Sequence, residues 1–439
     1  MQRLWTLFFL ASSTYALTLS QTPKSNSLVV YNSNVALVHE SKQLSITPDE
    51  TQIIYPDVAS SIITNSVGIT LPKSVTLYSQ QYRYDKLTKT KLLNAYVGKP
   101  IGYKTTTPTL LAHQGNEAIV RRKDGTIVTI NTQDIHLPAI PKELLIKPSL
   151  VWNVKTTKKV DTTLTLDYLI KNIRWSSDYV LHLHKNSADL TGWITIDNKS
   201  GKAFHNTQLY LLAGDINRAH TSHPVPVRYM KAMVAADSVA VEQQAHEGYH
   251  IYNIPFKVNL ANNEKTQIKF LTKNTISIKR TYSAHLNNPL YINGETKKDV
   301  TQYVELQKLD TPLPKGVIRT YSPMKQTNIL LGETSIQHTP KNTPLKLKLG
   351  TNFDIKIKQT LLKRDKNDHY IFADIRYTIT NNSDKQKTVT LLIPFNKNKG
   401  SKIQTQRSFR FTKGNLATFT LEIGANTTLS FDVHFQSKR

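Results

Sequence analysis

Residues Tyr370 to Phe395 read YIFADIRYTITNNSDKQKTVTLLIPF, and the alternation in this stretch decides the fold. Ile371, Ala373, Ile375, Tyr377 and Ile379 share one parity while Asp374, Arg376 and Thr378 take the other, the pattern of a strand with one buried face. Asn381, Asn382, Ser383 and Asp384 have turn composition, after which Val389, Leu391, Ile393 and Phe395 resume the alternation. Leu429, Phe431, Val433 and Phe435 make a last strand, so residues 345–439 are expected to form a C-terminal antiparallel sandwich.

The same layout occurs upstream. ITIDNKSGKAFHNTQLYLL from Ile194 runs strand, Asn-rich turn, strand, as does YTITNNSDKQKTVTLLIPF from Tyr377. Two hairpins built on similar lines are expected, the first within a central β-sandwich domain over 146–344. An N-terminal β domain over 17–145 precedes it, with Pro138, Pro141 and Pro148 marking the boundary. One helix is expected near 88–97: Leu92, Leu93, Tyr96 and Val97 fall on one face, Thr88 caps the start, and Gly98 with Pro100 stops it. Residues 219–248 lose the strand pattern and gather Ala, Met, Gln and His, which reads as a long mobile insertion with a short helix near Met230–Gln244. The expected class is therefore mainly β: multidomain antiparallel β-sandwiches with a short helix and one long insertion.

Met1 to Ala16 has the order of a secretory signal peptide: Arg3, the apolar run Leu4–Ala11, then small and polar residues before a cut after Ala16. That run is too short to span a bilayer, and no later stretch approaches the roughly twenty apolar residues a spanning helix needs. A soluble mature chain, periplasmic or extracellular, is the expectation. With no cysteine, stability outside the cytoplasm has to come from buried apolar area rather than disulfides. The net charge is +26, which favours anionic partners. Export ranks an anionic envelope polymer or an acidic protein above nucleic acid.

His246, Glu247 and His250 match H-E-x-x-H, a zinc motif that needs both His residues on one helical face. Gly248 weakens a helix and His250, Tyr252 and Ile254 continue as an extended run, so a chance match is the better reading. His182 and His184 form H-x-H in a strand, where both rings point to one side; they are weak metal candidates, and no metal or other cofactor is expected. No nucleophile elbow, phosphate loop or dinucleotide fingerprint occurs. The clearer physical lead is a basic stripe: Lys346, Lys348, Lys356 and Lys358 alternate with Leu345, Leu347, Leu349, Phe353, Ile355 and Ile357. If the apolar set faces inward, the four lysines share the outer face and attract a polyanion in a salt-dependent way.

Several blocks resemble a bacterial family, domain of unknown function 4139, which also forms the C-terminal part of proteins called mucoidy inhibitor-like. They include VYNSNVALVHE from Val30, QQYRYDKLTKTKLLNAYVGK from Gln80, IPKELLIKPSLVW from Ile140 and YLIKNIRWSSDYVLHL from Tyr168. LTGWITIDNKSGKAFHNTQLYLLAGDINR from Leu190, YHIYNIPFKVNLANNEKTQIKF from Tyr249, GVIRTYSPM from Gly316 and LGTNFDIKIK from Leu349 continue the likeness. The resemblance implies an exported, mostly β protein and supplies no reaction or ligand. It places Trp175, Asp178, Trp193, Asn198, Gly201, Gly214, Asp215 and Asp354 in matching blocks, where roles at turns and core corners are expected. The leading expectation is a non-enzymatic envelope protein that binds an anionic macromolecule; the alternative is a carbohydrate- or peptide-directed hydrolase with carboxylates meeting in an interdomain cleft.

Overall fold

The computed structural model describes residues 15–141, 143–213, 242–246, 249–397 and 400–438. These contain thirty strands and one α-helix, arranged in several mostly antiparallel sheets. The mainly β class holds. The chain divides into two units: unit 1 takes residues 1–175 and 196–266, unit 2 residues 176–195 and 267–439.

In unit 1 the strand Val35–Ile46 pairs along its whole length with Val160–Lys171, from Val35 opposite Lys171 to Ile46 opposite Val160. Ser25–Tyr31 closes a hairpin onto it through Asn34, whose φ of 61° is a left-handed position that Asn tolerates. Phe204–Ala213 adds in parallel to Ser25–Tyr31. A second sheet orders Tyr15–Thr18, Glu50–Pro56, Ser149–Thr156 and Val75–Arg83 side by side. Ala16, where the leader is expected to be cut, lies in the first of these strands opposite Gln52; residues 1–14 lie outside the described part.

The helix forms where expected, Lys89–Tyr96, with the Thr88 side chain accepting from Lys91 N at 3.2 Å and Gly98 at φ 82° ending it. Leu93 and Tyr96 are buried and pack with Ile101, Leu110, Ala118, Val120 and Ile130. Val97 is 45% exposed, contrary to its expected place on the buried face: it is the C-cap residue, already out of helical register.

In unit 2 the strands Leu345–Lys366, Tyr370–Asn381 and Thr427–Lys438 lie side by side. Their inward residues Ile355, Ile357, Ile375, Tyr377, Ile379, Val433 and Phe435 share one core with Val389, Leu391, Ile393 and Phe419. Each large side chain so buried contributes about 1.5–3 kcal/mol.

The two similar hairpins share a side-chain hub. Asn198 Nδ2 donates to Lys202 O at 2.9 Å and to Ala261 O at 3.0 Å. Asn381 Nδ2 donates to Lys385 O and to Gly424 O, both at 2.8 Å. Ser200 and Ser383, each two residues on, both donate through Oγ to the Asn Oδ1 at 2.7 Å. Two residues beyond each far carbonyl stands a left-handed Asn, Asn263 at φ 61° and Asn426 at φ 49°. The flanking strands repeat as well: Ser187–Asn198 lies between Ile173–Leu183 and Glu264–His285, as Tyr370–Asn381 lies between Leu345–Lys366 and Thr427–Lys438. The likeness from Ile194 and Tyr377 thus reflects one structural unit used twice.

Two further expectations fail here. Of the helix expected near Met230–Gln244, the described end is a strand, Glu242–His246, because it pairs antiparallel with Tyr249–Asn253; the rest of 219–248 lies outside the described residues. Phe353, expected inward, is 77% exposed. The ladder with Glu295–Leu306 shifts between Lys298/Ile357 and Val300/Asn352, and this bulge flips the parity of the intervening residues.

Candidate functional site

The four lysines of the stripe are all exposed, while Leu347, Leu349, Ile355 and Ile357 between them are buried. Lys346 pairs with Glu305 at 3.3 Å and lies 4.7 Å from the Tyr303 ring centroid. Lys358 pairs with Glu295 at 3.3 Å, and Lys356 stands over the exposed Phe353 ring at 5.9 Å. The bulge at Phe353 and Asp354 separates Lys346 and Lys348 from Lys356 and Lys358.

The structure adds a lysine that sequence reasoning missed. Lys297 stands directly opposite Lys358 in the ladder, and Thr378 faces Lys358 on its other side. Directly opposed residues share a face, so Lys297, Lys358, Thr378 and Ser430 form one outward row across four strands. Lys356, Thr380 and Thr428 form the next row. The hydroxyls bond to one another, Ser430 to Thr378 and Thr380 with Thr428, both at 3.0 Å. Neighbours in such a grid are about 4.8 Å apart across strands and about 6.8 Å apart along them. Beyond this grid Arg376 and Asp432 make a bidentate pair at 2.8 Å, which holds the Asp432 carboxyl below its usual range and neutralises that end. The signal for Lys297 was a register, which a single strand's sequence does not carry.

His182 stacks on Tyr321 with ring centroids 5.7 Å apart, and His184 Nε2 lies 2.8 Å from Asp189 Oδ2. Asp189 is held below the usual carboxylate range chiefly by the Thr275 N–H, then by His184. Among the described residues no three His, Cys, Asp or Glu side chains gather as a metal site. His246 and His250 lie in opposed strands of one hairpin, Ala245 facing His250, which is extended backbone and not the helical turn that H-E-x-x-H requires.

Several residues of the matching blocks make contacts within the fold. Trp175 Nε1 donates to Leu212 O at 3.1 Å, Asp178 pairs with Arg319 at 3.2 Å, and the Asp354 carbonyl accepts Asn382 N at 2.8 Å. Gly201, at φ 82°, lies so close to Ser60 that a side chain there would collide with its hydroxyl. Gly214 and Asp215 lie outside the described residues.

Unit 1 also holds a buried charge cluster. Glu40 is 0% exposed and Lys42 1%. Glu40 accepts from Tyr55 OH at 2.9 Å and meets Lys202 Nζ at 3.0 Å, while Lys202 also donates to the Asp57 carbonyl. Lys42 Nζ donates to Pro56 O at 3.0 Å and sits 3.7 Å from the Tyr55 ring centroid. Burial lowers the Lys42 ammonium to about 8, with Glu40 pulling the other way, and burial with the Glu40 charge pushes the Tyr55 phenol well up. Glu40 and Lys42 are closed to solvent, and Glu40 Oε1 faces Lys202 as an ion pair with no hydrogen-bond partner of its own.

An open depression of about 630 Å³ is lined by Ser60, Tyr82, Tyr84 and Lys86, and a second of about 320 Å³ by Pro100, Ile101, Gly102, Thr107, His136, Leu137 and Pro138. Neither carries the paired carboxylates of a glycosidase. Among the described residues no helix is long and apolar enough to cross a membrane. Neither a scan against protein-family models nor a search of curated proteins finds a match to this chain, so the functional reading rests on its own geometry.

Proposed function

We propose that the chain is an exported, non-enzymatic binding protein of the cell envelope, periplasmic or extracellular, whose partner is an anionic envelope polymer. The observation that carries this reading is Lys297 facing Lys358 on an exposed sheet. Like charges directly opposite one another weaken a ladder; Glu295 offsets part of this through Lys358, and an anion bound across both lysines relieves the rest. Lys356 and the hydroxyls of Thr378, Thr380, Thr428 and Ser430 extend the same face with further cationic and hydrogen-bonding groups. The leader-like Met1–Ala16 and the net charge of +26 support export and an anionic partner.

The test is retention of the purified protein on envelope fractions across a salt series. The wild type is expected to bind at low salt and elute as salt screens the face; the Lys297→Gln/Lys358→Gln pair is expected to elute earlier. Absence of retention at low salt overturns the reading.

A further inference from the structure

The hairpin Gly316–Met324/Thr327–Ile336 of unit 2 is apolar near its tip on both faces. Its register pairs Tyr321 with Leu330, Ser322 with Ile329, Pro323 with Asn328 and Met324 with Thr327. Paired residues share a face and successive pairs alternate, so Tyr321, Pro323 and Leu330 lie on one side and Ile329 and Met324 on the other. Met324 and Leu330 are each 51% exposed and Ile329 40%. The strand Gly316–Met324 is paired on its other edge with Ser177–His182 only as far as Tyr321, so the last residues run past their neighbour.

The root of the hairpin is held close. A side chain at Gly332 would collide with the Leu349 carbonyl, Thr334 Oγ1 donates to Lys348 O at 3.0 Å, and Gly350 lies against the Leu331 carbonyl. These approaches run antiparallel. Lys325 occupies the turn itself, at φ 50°.

A flat protein surface covers one face of a hairpin; burying both takes a medium that closes around it. From Tyr321 to Met324 the tip extends about 10 Å, the depth of the headgroup and upper acyl region. At that depth water still reaches the unpaired backbone edges, which the hydrocarbon core would penalise. Lys325 at the turn and the net charge of +26 complement anionic headgroups. We propose that this hairpin tip inserts into the interfacial layer of an anionic lipid membrane. The site uses different side chains from the Lys297–Lys358 face, so either reading can fail while the other stands.

The chain has no cysteine, so Gln326→Cys, an exposed position in the same turn that the proposal does not use, accepts a single environment-sensitive fluorophore. Labelled full-length protein is mixed with phosphatidylcholine vesicles, with vesicles containing phosphatidylglycerol, and with a soluble anionic polysaccharide. A blue shift and co-flotation with the phosphatidylglycerol vesicles alone support insertion. A shift with the polysaccharide alone, or no flotation, overturns it. Ile329→Asp/Leu330→Asp is expected to lower vesicle binding by about tenfold while retention on envelope polymer stays as in the wild type. Vesicle binding unchanged in that variant, or a loss of self-association in place of a loss of flotation, overturns the proposal; an unchanged thermal midpoint certifies that the variant folds.

Discussion

Lys297 faces Lys358 directly across an antiparallel ladder, and only Lys358 has a carboxylate at hand, Glu295 at 3.3 Å. Replacing Lys297 with Gln removes a repulsion and leaves that ion pair intact. Lys297→Gln is expected to raise stability by about 0.2–1 kcal/mol while weakening binding to anionic matrices. Thermal unfolding and salt elution of the same preparation check both halves, and a destabilised variant would show that the pair is not repulsive in the folded chain.

The buried Lys42 sets a pH dependence. Its folded value of about 8 lies below the unfolded 10.5, so between these values the unfolded chain binds the proton that the folded chain has lost, and stability rises with pH. The limiting slope is about 1.4 kcal/mol per pH unit. Tyr55, pushed up in the fold, acts the opposite way once the unfolded phenol ionises near 10. Urea unfolding is therefore expected to show a rise from pH 8 to about 9, absent in Lys42→Met, before the raised phenols of Tyr55, Tyr168, Tyr252 and Tyr377 reverse it.

Glu40 holds the cluster together. Glu40→Ala leaves the Lys202 ammonium only the more distant Asp57 carboxylate at 4.0 Å and removes the acceptor of Tyr55 OH, at an expected cost of about 3–5 kcal/mol. Exchanging Glu40, Lys42 and Lys202 together for Leu, Met and Met is expected to cost far less, because no charge is then left unpaired. Equilibrium unfolding of the single and triple variants separates the two cases.

Two glycines with similar φ isolate a contact. Gly125 at 88° has nothing within 4 Å of an added Cβ, whereas Gly201 at 82° has the Ser60 side chain. Gly125→Ala should cost about 1 kcal/mol for the backbone alone, and Gly201→Ala clearly more. Ser60→Gly in the Gly201→Ala background should recover part of the difference, read from denaturant midpoints.

Most of the fold was legible because its strands bury one face, so Ile375, Tyr377 and Ile379 announce their sheet without reference to any partner. The helix at Lys89–Tyr96 was legible from its cap and its stop. What escaped needed knowledge of pairing. Phe353 reads as inward until the bulge is known, and Lys297 reads as one more surface lysine until its register brings it opposite Lys358. Glu40 and Lys42 follow the inward parity of Val38 and Leu44, yet charges at such positions make sense only once Lys202 arrives from a distant turn. The paired hubs lie between these extremes: the likeness of the two stretches was visible, its cause was not. Asn198→Ala and Asn381→Ala should each cost about 1–3 kcal/mol, by loss of equivalent bonds.

The hubs also bear on the speed of assembly. Asn198 reaches a carbonyl 63 residues ahead and Asn381 one 43 residues ahead, so neither amide finds its acceptors until a long loop has closed. Contacts of that span come late and slow the search, which leaves a newly made chain with open sheet edges for longer than a locally wired protein of its size. On the export proposed above such a delay is useful, since threading through a translocation pore demands a chain that has not yet locked.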